Sequence, residues 1–201
     1  MRITTSARAA ATAALLTALS CGASAQAGPS FDCTQKLTTS VEQRICQDPG
    51  LAALDRQLAE TYAAAMAKAT PAESQSLTTS QRGWIKSRND CWKAKDAPAC
   101  VDAAYHNRIA ELQARYRLVN PVGSARYLCP GAPAMEIAAD FFATDPPTAM
   151  IAFSGATQFM TEARSGSGAR YTGGGRQFWE HQGVALLTWG PGAPESNCPR
   201  Q

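Results

Sequence analysis

Histidine is nearly absent: His106 and His181 are the only two in 201 residues. A metal centre built from three or more histidines is excluded, and a histidine base has only these two candidates. Lysine stops at Lys95. A phosphate-binding loop of the Gly-Lys-Ser/Thr kind is therefore excluded from the remainder. Charge of one sign is missing too. Residues 26–123 hold twelve Lys/Arg against ten Asp/Glu, and residues 124–201 hold five against six. Neither stretch is basic enough to point to nucleic acid, and the charges interleave as on a solvated surface. Beyond the first 25 residues no apolar run is long enough to span a bilayer.

The N-terminus reads as a secretory signal over residues 1–25. Arg2 and Arg8 give a basic start, "AAATAALLTAL" an apolar run, and "ASA" (Ala23 to Ala25) a small-x-small cleavage site before Gln26. Cys21 follows "ALS", whereas a lipoprotein signal wants leucine and then two small residues. Cleavage after Ala25 and a periplasmic destination are the expectation. Outer-membrane attachment would require lipidation of Cys21. Six further cysteines remain: Cys33, Cys46, Cys91, Cys100, Cys129 and Cys198. An even number in an exported chain reads as a disulfide framework. Cys33 with Cys46 and Cys91 with Cys100 are the local pairings, although four cysteines allow three connectivities. A bridge between Cys129 and Cys198 would tie the first strand of the second half to the tail. The spacings are not those of a zinc site, so no metal is expected.

The hydrophobic period divides the chain. Residues 38–118 read as helices. Thr39 with Glu42 forms a capping-box pattern, and "DPG" (Asp48 to Gly50) ends that first short helix. Leu51, Leu54, Leu58, Tyr62 and Met66 recur at spacings of three and four. Pro71 opens a third helix, with Leu77, Trp84 and Ile85 as its buried stripe. A fourth carries Val101, Tyr105, Ile109, Leu112 and Tyr116 on one face. After "NPVGSA" the period becomes two. Seven short runs, from "YLC" to "VALLTW", are separated by Gly, Pro, Ser or Asp. The expected fold class is two-domain: an all-α, disulfide-tied helical module over residues 26–119, a linker over 120–125, and an all-β small antiparallel barrel over 126–201.

Several residues invite a chemical reading. Arg88 is expected to pair with a carboxylate such as Asp55 or Glu42. His106 is expected to be solvated or at the edge of a core, since no nucleophile is set against it. "TGGGRQ" lacks the companions of a phosphate loop. Ser167 with His181 would need an orienting acid, and Glu180, adjacent to His181 on a strand, points to the opposite face. Phe178 and Trp179 are expected in the core, with Tyr171 fixing its loop by packing and Arg170 through a carboxylate.

Two stretches resemble known families. Asp32-Cys33, the "ExxIC" around Glu42 to Cys46, "LAALDRQL", "QRxWxxxRxxC" from Gln81 to Cys91 and "CxxxxYxxRIxEL" from Cys100 to Leu112 resemble the LprI N-terminal-like family of exported bacterial proteins. That family is named for a mycobacterial lipoprotein connected with lysozyme inhibition. Tyr127, Cys129, "SGSGARY" (Ser165 to Tyr171), "FWEHQGVALL" (Phe178 to Leu187) and Cys198 resemble the membrane-bound inhibitors of c-type lysozyme, which are small barrels.

The second resemblance implies that two loops enter the sugar-binding cleft of lysozyme, where two carboxyl groups flank the scissile bond. The implied contact residues are Ser165, Gly166, Ser167, Gly168, Arg170, Tyr171 and His181. Glycines let the backbone reach the floor of a narrow cleft, and Ser167 offers one hydroxyl that both donates and accepts. Where the family has a lysine in its second motif, this chain has His181, which is charged only when protonated. The expectation is a periplasmic inhibitor of c-type lysozyme that protects the wall of a Gram-negative bacterium, is not an enzyme and uses no cofactor. A competing expectation is an interaction or scaffold module whose helical half binds a peptide or a cell-wall component, with a barrel that no longer inhibits.

Overall fold

A computed structural model describes residues 28–201. The signal, its cleavage site and Cys21 lie outside the described residues. The helical half comprises α1 (Ser40–Gln47), α2 (Pro49–Lys68), α3 (Pro71–Asn89) and α4 (Ala97–Arg115), with a 3-10 turn at Asp90–Lys93. Local chemistry sets these boundaries. The Thr39 hydroxyl accepts the Glu42 N–H at 3.1 Å, and the Glu42 carboxylate accepts the Thr39 N–H at 3.1 Å. Asp48 ends α1 and caps α2, accepting the N–H groups of Gly50 and Leu51. "DPG" is thus a stop and a start at once. A second capping box, Thr70 with Glu73, begins α3 with Pro71 as its first residue.

Val41, Ile45, Leu58, Leu77, Val101, Tyr105, Ile109 and Leu112 fill the helical core. Each fully buried aliphatic side chain contributes about 1.5–3 kcal/mol. Ile85 departs from the expected stripe and is 38% exposed. Trp84, half-buried, lies on the inner side of α3 instead and donates its indole N–H to the Ala104 carbonyl at 3.2 Å. Disulfides join Cys33 to Cys46 and Cys91 to Cys100.

Deeper in the bundle, Arg88 lies 3.7 Å from Asp55, and Glu42 is left to its cap. The Tyr105 hydroxyl lies between the two charges. It donates to Asp55 Oδ1 at 2.7 Å and accepts from Arg88 Nη1 at 2.8 Å. Asp55 Oδ2 also accepts the Ser30 N–H at 2.7 Å. Buried charges persist only when paired and hydrogen-bonded in this way. Burial drives the Tyr105 phenol well above the ordinary tyrosine range; Arg88 opposes that rise and Asp55 adds to it.

The β half is an eight-stranded antiparallel meander: β1 (Gly123–Cys129), β2 (Met135–Phe142), β3 (Thr148–Phe153), β4 (Ala156–Ala163), β5 (Ala169–Gly173), β6 (Arg176–His181), β7 (Val184–Thr188) and β8 (Ser196–Pro199). β1 begins at Gly123, so the last residues of the expected linker are already strand. Seven strands follow the apolar runs. The eighth, "SNCP", has no apolar alternation and is recruited by pairing with β7. A Tyr127–Arg200 bridge, a Gln201 N–H to Arg126 carbonyl bond of 2.9 Å and the Cys129–Cys198 disulfide bring the ends together into a nearly closed barrel. Tyr127, Ile137, Ile151, Met160, Phe178 and Leu187 are among the residues filling its interior.

A small apolar cluster joins the halves: Ala114 of α4 with Phe142 and Met150 of the barrel, flanked by Val119 and Phe159. Beside it Arg117 reaches Asp140 at 2.6 Å and sets its guanidinium 5.2 Å from the Phe142 ring. Burial alone would raise the Asp140 carboxyl. Hydrogen bonds from Ser124 and Arg117 outweigh it and hold the group below its ordinary value. His106 sits at the same junction, 3.3 Å from Asp145 and 3.8 Å from Asp102. It has carboxylate neighbours and no nucleophile among the contacts described.

Candidate functional site

The exposed segment Arg164–Gly168 leaves β4, turns, and enters β5 against the end of β6. Its shape is fixed locally. The Ser165 hydroxyl donates to the Gly168 carbonyl at 2.8 Å and closes the loop on itself. Gly168 has φ +65°, and a Cβ there would stand 2.0 Å from the Glu180 carbonyl oxygen. Only glycine permits both that conformation and that approach. Gly166 has open space around it. Ser167, at the tip, is exposed, as are its neighbours from Arg164 to Gly168.

On β6 alternate residues face opposite ways. Phe178 is buried in the barrel, whereas Trp179 and His181 share the outer face and are half-buried. The Trp179 and His181 rings are 6.1 Å apart, with their planes inclined at 30°. His181 pairs with Val184 across a two-residue turn, Gln182-Gly183, in which both residues have positive φ. The loop tip and His181 therefore lie at one end of the barrel. Glu180 points the other way and accepts the Gly183 N–H at 3.1 Å. It serves the turn and does not orient His181, so no nucleophile–base–acid relay forms.

Other expected members of the site occupy different places. Arg170 is on the outer face in register with Trp179, but its guanidinium is held by the Gln177 amide oxygen and not by a carboxylate; the Nε bond is 2.9 Å. Tyr171 is 7% exposed, packs its ring 5.5 Å from that of Phe141, and offers no face to a partner. The strand alternation that puts Arg170 outside puts Tyr171 inside. Burial raises the Tyr171 phenol, with Glu162 adding to it. Burial also pushes Tyr127 up to about 12, helped by Glu180. Both phenols are thus neutral near neutral pH, and the polar character of this end rests on Arg164, Arg170, Ser167 and His181. "TGGGRQ" is the β5–β6 hairpin, with Gly173 facing Arg176 across its turn.

Trp179 is the residue beside this loop whose place differs from the expectation. Its apolar bulk suggested core, yet its indole N–H reaches out to the Ser167 carbonyl at 2.8 Å. The period-two alternation after the buried Phe178 is the signal that could have found it. Among the described residues no cluster of His, Cys, Asp or Glu is arranged to hold a metal ion, and no helix is long and apolar enough to cross a membrane.

The comparisons with known proteins bear on both halves. Residues 33–98 match the family model described as lysozyme inhibitor LprI. Residues 127–196 match that described as membrane-bound lysozyme-inhibitor of c-type lysozyme. Lipoprotein LprI of Mycobacterium bovis is 34% identical over 161 residues, covering 80% of each chain. Lipoprotein LprI of Mycobacterium tuberculosis matches to the same extent. No solved structure matches significantly. An alignment of 161 residues is longer than either half, so the match runs across both. The chain belongs to the LprI family, an LprI helical module followed by a barrel of the membrane-bound c-type lysozyme inhibitor kind.

Proposed function

We propose that this protein inhibits c-type lysozyme by inserting the Ser165–Gly168 loop, with His181 beside it, into the enzyme's sugar-binding cleft. The observation that carries the reading is the shape of the loop. It is exposed, self-closed by Ser165, and made thin by Gly166 and Gly168, the second of which packs its backbone on β6. Ser167 at its tip is suited to exchange hydrogen bonds with a catalytic carboxyl group, protonated or not. His181, when protonated, adds a cation toward the ionised carboxylate. Arg170 borders the contact. The protein acts as a binder: occupying the cleft excludes the glycan, and no bond is made or broken. The reading includes export to the cell envelope, with the signal cleaved after Ala25; attachment through Cys21, in the manner that the relatives' name of lipoprotein suggests, is the alternative.

The test is lysis of a bacterial cell-wall suspension by c-type lysozyme, with and without the mature chain. Protection is expected, and Ser167→Ala should weaken it at least tenfold. Absence of protection by the wild type sinks the reading. Point variants suit this better than fragments, because cutting near residue 123 would uncover Phe142 and Met150 from Ala114.

A second reading gives the contact to the helical half, since the lysozyme inhibitor LprI model falls on residues 33–98. It predicts full protection by Ser167→Ala and by His181→Ala.

A further inference from the structure

We infer that Trp179 is the residue that positions the inhibitory loop, locking Ser167 and His181 into one preformed plug. This rests on the barrel being the part that binds lysozyme. Two contacts converge on this side chain, and a third lies on the strand just beyond it. The indole N–H donates to the Ser167 carbonyl at 2.8 Å, across twelve residues of sequence. The indole ring lies beside the His181 imidazole, 6.1 Å between centroids at a 30° inclination. The residue after the tip, Gly168, presses its backbone against Glu180 and His181, the two residues that follow Trp179.

The bond is specific because of where it lies. An outward-facing indole on a strand could give its N–H to water, and a loop-tip carbonyl could take its hydrogen from water. Here each is used by the other, so the only side-chain bond described from the barrel wall to the tip of Arg164–Gly168 comes from Trp179. An exposed five-residue loop otherwise samples many conformers, each of which must be given up on binding. Pre-ordering it removes that cost before lysozyme arrives. Trp179 therefore contributes to affinity through Ser167 without itself needing to touch the enzyme.

The decisive variant is Trp179→Phe in the full mature chain. It keeps an aromatic ring on the outer face of β6 and removes the N–H together with part of the indole's area. Thermal midpoint and far-UV circular dichroism should stay close to wild type. Amide hydrogen exchange at residues 166–168, measured without lysozyme, should accelerate about tenfold, and the inhibition constant should rise by about the same factor, as for one hydrogen bond. A double-mutant cycle gives a readout that a purely structural role would not move. If Trp179 acts through Ser167, Trp179→Phe should cost much less in the Ser167→Ala background. Unchanged exchange at 166–168, or fully additive losses in the cycle, would overturn the inference. Faster exchange in a protein whose wild type fails to inhibit would instead retire the lysozyme reading and leave the loop lock standing, so the two failures are distinguishable.

Discussion

The α-carbon of Gly168 faces the carbonyl oxygen of Glu180 so closely that a methyl group there would sit 2.0 Å from it. This contact, more than the exposed tip, sets where the loop runs. Gly168→Ala must either displace the loop from β6 or strain a residue at φ +65°, at a cost of roughly 1–3 kcal/mol. Gly166→Ala, with nothing near its Cβ, should leave the urea midpoint unchanged. Equilibrium unfolding of the two variants checks the contrast, and equal midpoints would show that Gly168 is not under constraint.

A second prediction concerns the helical core. Tyr105→Phe removes the hydroxyl shared by Asp55 and Arg88 and leaves both buried groups short of a partner. The expected loss is about 1–3 kcal/mol, despite a change of one atom. Chemical denaturation of the variant measures it directly. A loss below about 0.5 kcal/mol would mean that the pair tolerates the gap.

The barrel should weaken in alkali. Tyr127 has its folded pKa raised from 10.0 to about 12. A raised folded value means that its contribution is complete below pH 10 and is lost as pH climbs toward 12. Denaturation midpoints taken from pH 8 to 12 should fall over that interval. They should fall less steeply in Tyr127→Phe, and parallel curves for the two proteins would contradict the assignment.

The proposed role of His181 is checked by substitution. If its ring hydrogen-bonds to a lysozyme carboxylate, His181→Ala should raise the inhibition constant about tenfold, and His181→Lys, which restores a cation at this position, should recover most of that loss. An unchanged constant in His181→Ala would remove the residue from the contact.

Helix limits were legible because their causes are local: Thr39 with Glu42, Asp48, and Pro71 each act within four residues. The barrel interior was legible from alternation, as at Tyr127, Ile137 and Phe178. Relationships made at a distance were not. Nothing in "SNCP" announces a strand, because β8 exists through its partner β7. Ile85 and Trp84 are neighbours on one helix, and only the position of α4 decides which turns inward. Trp179 was expected in the core on its bulk and strand parity turns it outward, whereas the same parity buries Tyr171, in keeping with its expected packing and against the contact that the resemblance implied. The Ala114–Phe142–Met150 junction left no mark at all, since each residue reads as an ordinary member of its own element.

The unbroken strand order of the barrel also bears on how it is made. Every pairing from β1 to β8 joins neighbours in the chain, so each hairpin can form as soon as its two strands exist, with little loop-closure entropy to overcome. The seam is different: Tyr127 must wait for Arg200, and Cys129 for Cys198, 69 residues later. Until residues 196–201 arrive, β1 and β7 present open edges and Cys129 lacks its native partner. Oxidation of that one pair thus records that the last strand has docked, which makes the thiol a chemical clock for completion of the fold.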